Sequence, residues 1–149
     1  MSKAIVRAET EAAIILAREV FGTEIPMPAI EFSNRMTRTL GQASARYKRI
    51  DDVKVLSAVK ITYASKAIEM NPPETFVEKV VWHEVAHIVQ LYMYGEGDHG
   101  VTFHQIMRKL GAKEIGRTTS GLATPPRRRN YSSGWVYGIG NTIPVKHLG

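Results

Sequence analysis

From Phe76 to Leu91 the chain carries apolar residues on nearly every side of a helix, and such a helix belongs inside a core. Its start is marked in the sequence. Asn71 can act as N-cap, Pro72 suits the first helical position, where a missing N–H is no loss, and Glu74 completes a capping box. Gly95 and Gly97 end the run, so the pattern predicts a helix over 72–92. Within that buried helix stand His83, Glu84 and His87. Glutamate is almost never buried without a partner, and an unpaired buried charge is costly. The chain must therefore supply whatever makes these three groups tolerable in a core.

The three residues form His83-Glu84-Val85-Ala86-His87, an HExxH pattern. At about 100° per residue the two histidines differ by about 40° around the axis and lie one turn apart, so both imidazoles reach one metal. Glu84 lies about 60° from His87 on the same half of the helix. A carboxylate there can hold a water on the metal and accept its proton, while Zn²⁺ brings that water's pKa towards about 7. By chance the pattern arises in roughly one chain of this length in several hundred. It is the ligand pattern of the zinc metalloproteases. The sequence contains no cysteine, which removes thiolate zinc sites, disulfides and thiol nucleophiles together. Any metal is held by nitrogen and oxygen.

A catalytic zinc usually takes three protein ligands. The metzincin pattern requires Gly where this chain has Gln90 and His where it has Met93, so that class fails. His99 sits on the loop that turns the chain back after the helix, and Glu96 and Glu114 are the carboxylate alternatives. His104 falls beside the apolar stripe of the next helix and reads as solvent-facing. His147 stands in the tail with no constellation around it.

Elsewhere the pattern predicts a helix over 8–21 that buries Ala12, Ala13, Ile15, Leu16 and Val20 and is closed by Gly22. Short strands are predicted over 29–33, 42–48 and 59–63, with a turn at Asp51 and Asp52. Val59–Tyr63 is the candidate edge strand for a bound peptide. Thr102 and Gln105 form a second capping box, opening a helix whose Phe103, Ile106, Met107 and Leu110 make one apolar stripe stopped by Gly111. Tyr92 and Tyr94 stand near the motif in sequence, in positions that usually serve packing. The expected class is α+β: three helices with a small three-stranded sheet and a basic C-terminal appendix.

With 149 residues the chain has one domain's worth of length. Nowhere do about eighteen apolar residues run together, and no secretory signal opens the chain, so no membrane association is expected and the expected address is cytoplasmic. Charge is uneven. Residues 1–100 hold 12 Lys and Arg against 13 Asp and Glu, whereas residues 101–149 hold 8 against Glu114 alone. The first part sums to −1 and the last to +7. Such asymmetry points to a polyanionic partner at the C-terminal end, nucleic acid being the commonest. Arg127, Arg128 and Arg129 can contact phosphates, and Tyr131, Trp135 and Tyr137 can stack on unpaired bases of single-stranded or distorted DNA.

HEVAH, a short loop, then His99-Gly100, two residues and Phe103 resembles the SprT-like metalloprotease family, to which the Spartan DNA–protein crosslink proteases belong. The similarity spans Ala8 to Leu110, with its specific positions between Trp82 and Leu110. The resemblance implies a zincin-like domain over 1–116, one Zn²⁺ held by His83, His87 and His99, and Glu84 as catalytic base. It also implies hydrolysis of peptide bonds in proteins held on DNA, in the manner of crosslink repair. Many family members continue into a cysteine-ligated zinc ribbon. Here residues 117–149 form a basic linker and an aromatic segment, Trp135–Gly140, with glycines where those cysteines would stand. Two other readings remain open: a DNA-binding adaptor with a structural zinc, and a metallopeptidase with a dedicated substrate and no nucleic-acid role.

Overall fold

The computed structural model describes residues 2–111. The appendix at 117–149, with Arg127, Arg128, Arg129, Tyr131, Trp135 and Tyr137, lies outside the described residues, as do Glu114 and His147. The element order is α1 (Ser2–Phe21), β1 (Ala29–Ser33), β2 (Gly41–Ile50), β3 (Val53–Ala64), α2 (Ser65–Met70), α3 (Pro73–Phe76), a π-helical turn (Val77–Val81), α4 (Trp82–Tyr94) and α5 (Val101–Leu110). The class is mixed α+β, with a small three-stranded sheet and several helices. The expected count of three helices is corrected by the short α2, which the strand runs straight into at Ser65.

In the sheet, β3 lies between β1 and β2, parallel to the first and antiparallel to the second. Val59–Tyr63 is therefore not an edge: β3 is hydrogen-bonded on both sides there, and β2 is the edge that packs against α4. Local alternation marks a strand, but strand order is fixed by pairings distant in sequence. Ala43 pairs with Ile61, Ala45 with Val59 and Gly41 with Tyr63, so these small and apolar residues share the face turned to the helices. Beyond a bulge at Arg46/Tyr47 the hairpin leaves the domain as a two-stranded ribbon that β1 does not reach. Asp51 and Asp52 close it with positive φ, 51° and 65°, the conformation a tight two-residue hairpin turn requires.

Helix α1 packs through Val6, Thr10, Ala13, Ile14 and Ala17. That corrects the expected face, since Ile15 is 52% and Leu16 38% exposed. Two stripes share helical spacing on this helix, and the buried one contains a threonine whose hydroxyl finds two partners. Thr10 Oγ1 donates to the Val6 carbonyl (2.7 Å), so it accepts from the buried Tyr63 hydroxyl at 2.8 Å. Both proposed capping boxes are also corrected. Pro72 is the residue before α3, and Asn71 instead gives its side-chain amide to the Ala67 carbonyl of α2 (2.8 Å). Helix α5 starts from Gly100 without a side-chain cap. The glycine stops hold: Gly95 and Gly111 end α4 and α5 in the left-handed conformation, φ 68° and 82°.

The Tyr63–Thr10 bond ties the central strand to α1 inside the core. Tyr63→Phe is expected to lower unfolding free energy by about 1 kcal/mol in urea melts, the net worth of one such bond. No change in the urea midpoint would show that the bond contributes nothing net.

Candidate metal centre

The core helix α4 presents His83 and His87 one turn apart, both almost wholly buried, as the HExxH spacing requires. Gly95 then reverses the chain, and the loop before α5 brings an exposed third imidazole, His99, over the first two. The three Nε2 atoms converge: His83 to His99 is 3.0 Å and His87 to His99 is 3.1 Å. Nitrogens each about 2.0–2.1 Å from one tetrahedral zinc stand roughly 3.3 Å apart, so the observed spacing suits that coordination. His99 Nε2 faces two nitrogens at once and can share a proton with only one. A single cation takes up all three lone pairs, and the donor set therefore fits a metal. Of the carboxylate alternatives, Glu96 is exposed and outside this cluster.

Phe103, fully buried on α5, sets the arrangement from the other side. Its ring stacks on His87 at a centroid distance of 4.4 Å and meets His83 and His99 at 4.9 and 5.0 Å. Burial holds His83 well below the ordinary histidine range, reinforced by the neighbouring His87, His99 and His104. It brings His87 down to about 3, with His99 adding to the shift, and it lowers His99, with His104 adding there. All three imidazoles are thereby neutral at physiological pH, the form in which histidine binds metal.

Glu84 is completely buried next to His83, and burial pushes its carboxyl up to about 8 against one opposing contact, a hydrogen bond donated by the Ala43 backbone N–H of the edge strand. Its Oε1 has no partner among the described residues. The carboxylate fits only because β2 begins with Gly41. A Cβ there would lie 3.0 Å from Glu84 Cγ and 3.2 Å from Oε2.

Three participants escape the sequence pattern. His104 is not solvent-facing: it is half-buried, its Nδ1 is enclosed without a partner among the described residues, and its charge acts on His83 and His99. Because α5 crosses close over α4, the flank of its apolar stripe meets the site as well. Gly41 lies one residue before the predicted strand 42–48 and opens β2. Gln90, whose Oε1 meets His87 Nδ1 at 2.9 Å, is the single amide on α4, and that is the signal by which the sequence offers it.

Residues 10–125 match the model of the SprT-like family. The chain belongs to the SprT-like family. A curated relative, Protein SprT of Vibrio parahaemolyticus serotype O3:K6 (strain RIMD 2210633), is 26% identical over 99 residues, covering 65% of this chain and 52% of that protein. The SprT-like chain thus spans about half the length of the curated relative it matches. No solved structure matches it. Family membership points to a metallopeptidase-like role, with which the three-histidine cluster is compatible. No helix among the described residues is long and apolar enough to cross a membrane.

The raised Glu84 carboxyl makes stability depend on pH. Between its ordinary value near 4.5 and about 8, the unfolded chain has lost this proton while the folded chain keeps it. Stability therefore falls as pH rises through that window and stays reduced above it. In chelator-treated protein, Glu84→Gln removes the loss and should melt higher than wild type at pH 8, by an amount on the order of a few kcal/mol. The difference should narrow towards pH 4.5. A gap independent of pH in thermal melts would show that Glu84 does not titrate in this way.

Proposed function

We propose that the chain is a zinc-dependent endopeptidase that acts on DNA-associated proteins, with activity stimulated by DNA. The observation that carries this reading is Glu84: a buried carboxylate with an unpartnered oxygen, one residue from a cluster of three neutral imidazole nitrogens. A purely structural metal needs no such group. His83, His87 and His99 would hold the zinc, which when bound would supply Lewis-acid chemistry for a water and a peptide carbonyl. With a cation on the three imidazoles to favour its ionised form, Glu84 would accept the proton of the attacking water and deliver it to the leaving amide nitrogen as the C–N bond breaks. The peptide adds as a strand along the exposed edge of β2, which borders α4 from Gly41 to Tyr47 and is pinned there by the Tyr47 hydroxyl donating to the Leu91 carbonyl (3.1 Å).

Charge supports the nucleic-acid part. Besides the +7 of residues 101–149, the ribbon carries exposed Arg46, Lys48 and Arg49 on the edge strand β2 and Lys54 on β3, leading away from the site. A duplex or single strand held on these cations lies beside the peptide groove, and Arg127 to Arg129 would add phosphate contacts of their own.

The test is cleavage of a DNA-bound protein by the zinc-loaded chain, with and without DNA. Glu84→Gln should keep the zinc and lose roughly 10²- to 10⁴-fold in rate. Replacing Arg127, Arg128 and Arg129 together by Ala should weaken DNA binding and flatten its salt dependence by up to about three units of slope. Absence of cleavage by zinc-loaded wild type, with and without DNA, identifies an adaptor with a structural zinc. Cleavage indifferent to DNA identifies a peptidase with a dedicated protein substrate.

A further inference from the structure

Gln90 is fully buried on α4, one turn after His87, and its amide touches two parts of the site at once. Its Oε1 lies 2.9 Å from His87 Nδ1. Its Nε2 donates to the backbone carbonyl of Asp98 and to Asp98 Oδ1, both at 3.1 Å. Asp98 Oδ1 also accepts from the Gly100 backbone N–H at 3.2 Å, closing a tight turn around His99.

The chemistry of these partners removes any ambiguity in the amide. A backbone carbonyl can only accept, so the NH₂ end of Gln90 must face Asp98 and the oxygen must face His87. An oxygen there can only accept, so His87 carries its proton on Nδ1. Its Nε2 then presents a lone pair towards His83 and His99. Asp98, eleven residues away in sequence, thus sets the tautomer of His87 through Gln90. The same amide fastens the turn that carries His99.

We infer that Gln90 is a positioning residue for the metal centre, fixing one ligand by its tautomer and a second by clamping the loop that bears it. The inference rests on the reading of His83, His87 and His99 as metal ligands. His83 differs: its Nδ1 has no partner among the described residues, and its ring packs on Phe103, His87 and His99. Of the three imidazoles, His87 and His99 are thus the two that the Gln90 amide secures.

The test separates the two jobs of the amide. Gln90→Leu removes both. Gln90→Glu keeps an acceptor for His87 Nδ1–H but has no donor for Asp98. Zinc affinity is measured by competition with a chromophoric chelator, the His87 tautomer by long-range ¹H–¹⁵N NMR, and the turn by amide exchange at His99 and Gly100, the last two in chelator-treated protein. Wild type should show His87 protonated on Nδ1 and a protected turn. Gln90→Leu should lose the single tautomer, speed exchange in the turn and weaken zinc about 10- to 100-fold. Gln90→Glu should keep the Nδ1–H tautomer, speed exchange and weaken zinc by less. A wild-type His87 protonated on Nε2, or variants of native circular dichroism whose zinc affinity and turn exchange both stay within twofold of wild type, overturns the inference. Failure of wild type to bind zinc while the tautomer and exchange behave as stated overturns the metal reading and leaves the clamp standing.

Discussion

A carboxylic acid and two imidazoles are buried on the most apolar helix of the chain, and the rest of the structure is arranged around making that burial tolerable. Ionised, Glu84 would be an unpaired charge in a core; its carboxyl answers by holding its proton to about pH 8. The imidazoles answer in the opposite direction, staying neutral. Neither response uses an ion pair. The polar atoms of the site are consequently available to something other than each other, which is the condition a reactive centre needs.

The neighbouring elements fit this constraint in different ways. The edge strand approaches with Gly41, Ala43 and Ala45, residues small enough to admit the Glu84 side chain, and offers the Ala43 N–H to it. Helix α5 contributes the ring of Phe103, on which all three imidazoles pack, with His104 on its flank. The π-helical turn directly ahead of α4 widens the helix where Val80 meets Gly41, immediately before the motif.

The centre was largely legible in the sequence because its determinants are local. HExxH spacing depends on 3.6 residues per turn, and the glycine reversal after the helix puts His99 among the candidates for a third group, with Glu96 and Glu114 beside it. What stayed hidden depends on contacts distant in sequence. The order β1-β3-β2 cannot be read from alternation, so β3 passed for an edge. On α1, two stripes of equal periodicity differ only in whether Tyr63 stands opposite Thr10. Asn71 stands between two helices, and its side-chain N–H donates to the Ala67 carbonyl near the end of α2, a use that the capping pattern does not reveal. His104 departs from its expected solvent-facing place because helical periodicity describes one face, whereas a helix packed closely on another buries its flanks too.

The three imidazoles differ in what holds them. His83 and His87 stand on α4, whose Val85, Ala86, Ile88, Val89 and Leu91 belong to a continuous apolar cluster drawn also from α1, the sheet, α2 and α5. That cluster is held by apolar burial, unlike the core of a zinc finger, whose folding free energy is its metal-binding free energy. His99 belongs to an exposed loop secured by polar contacts around Asp98. Loops of that kind open locally at a small fraction of the global unfolding free energy. Opening of residues 95–100 therefore withdraws the third imidazole and leaves the fold in place. The order of that loop decides whether three imidazole nitrogens converge or only the pair on α4, which the core holds in position.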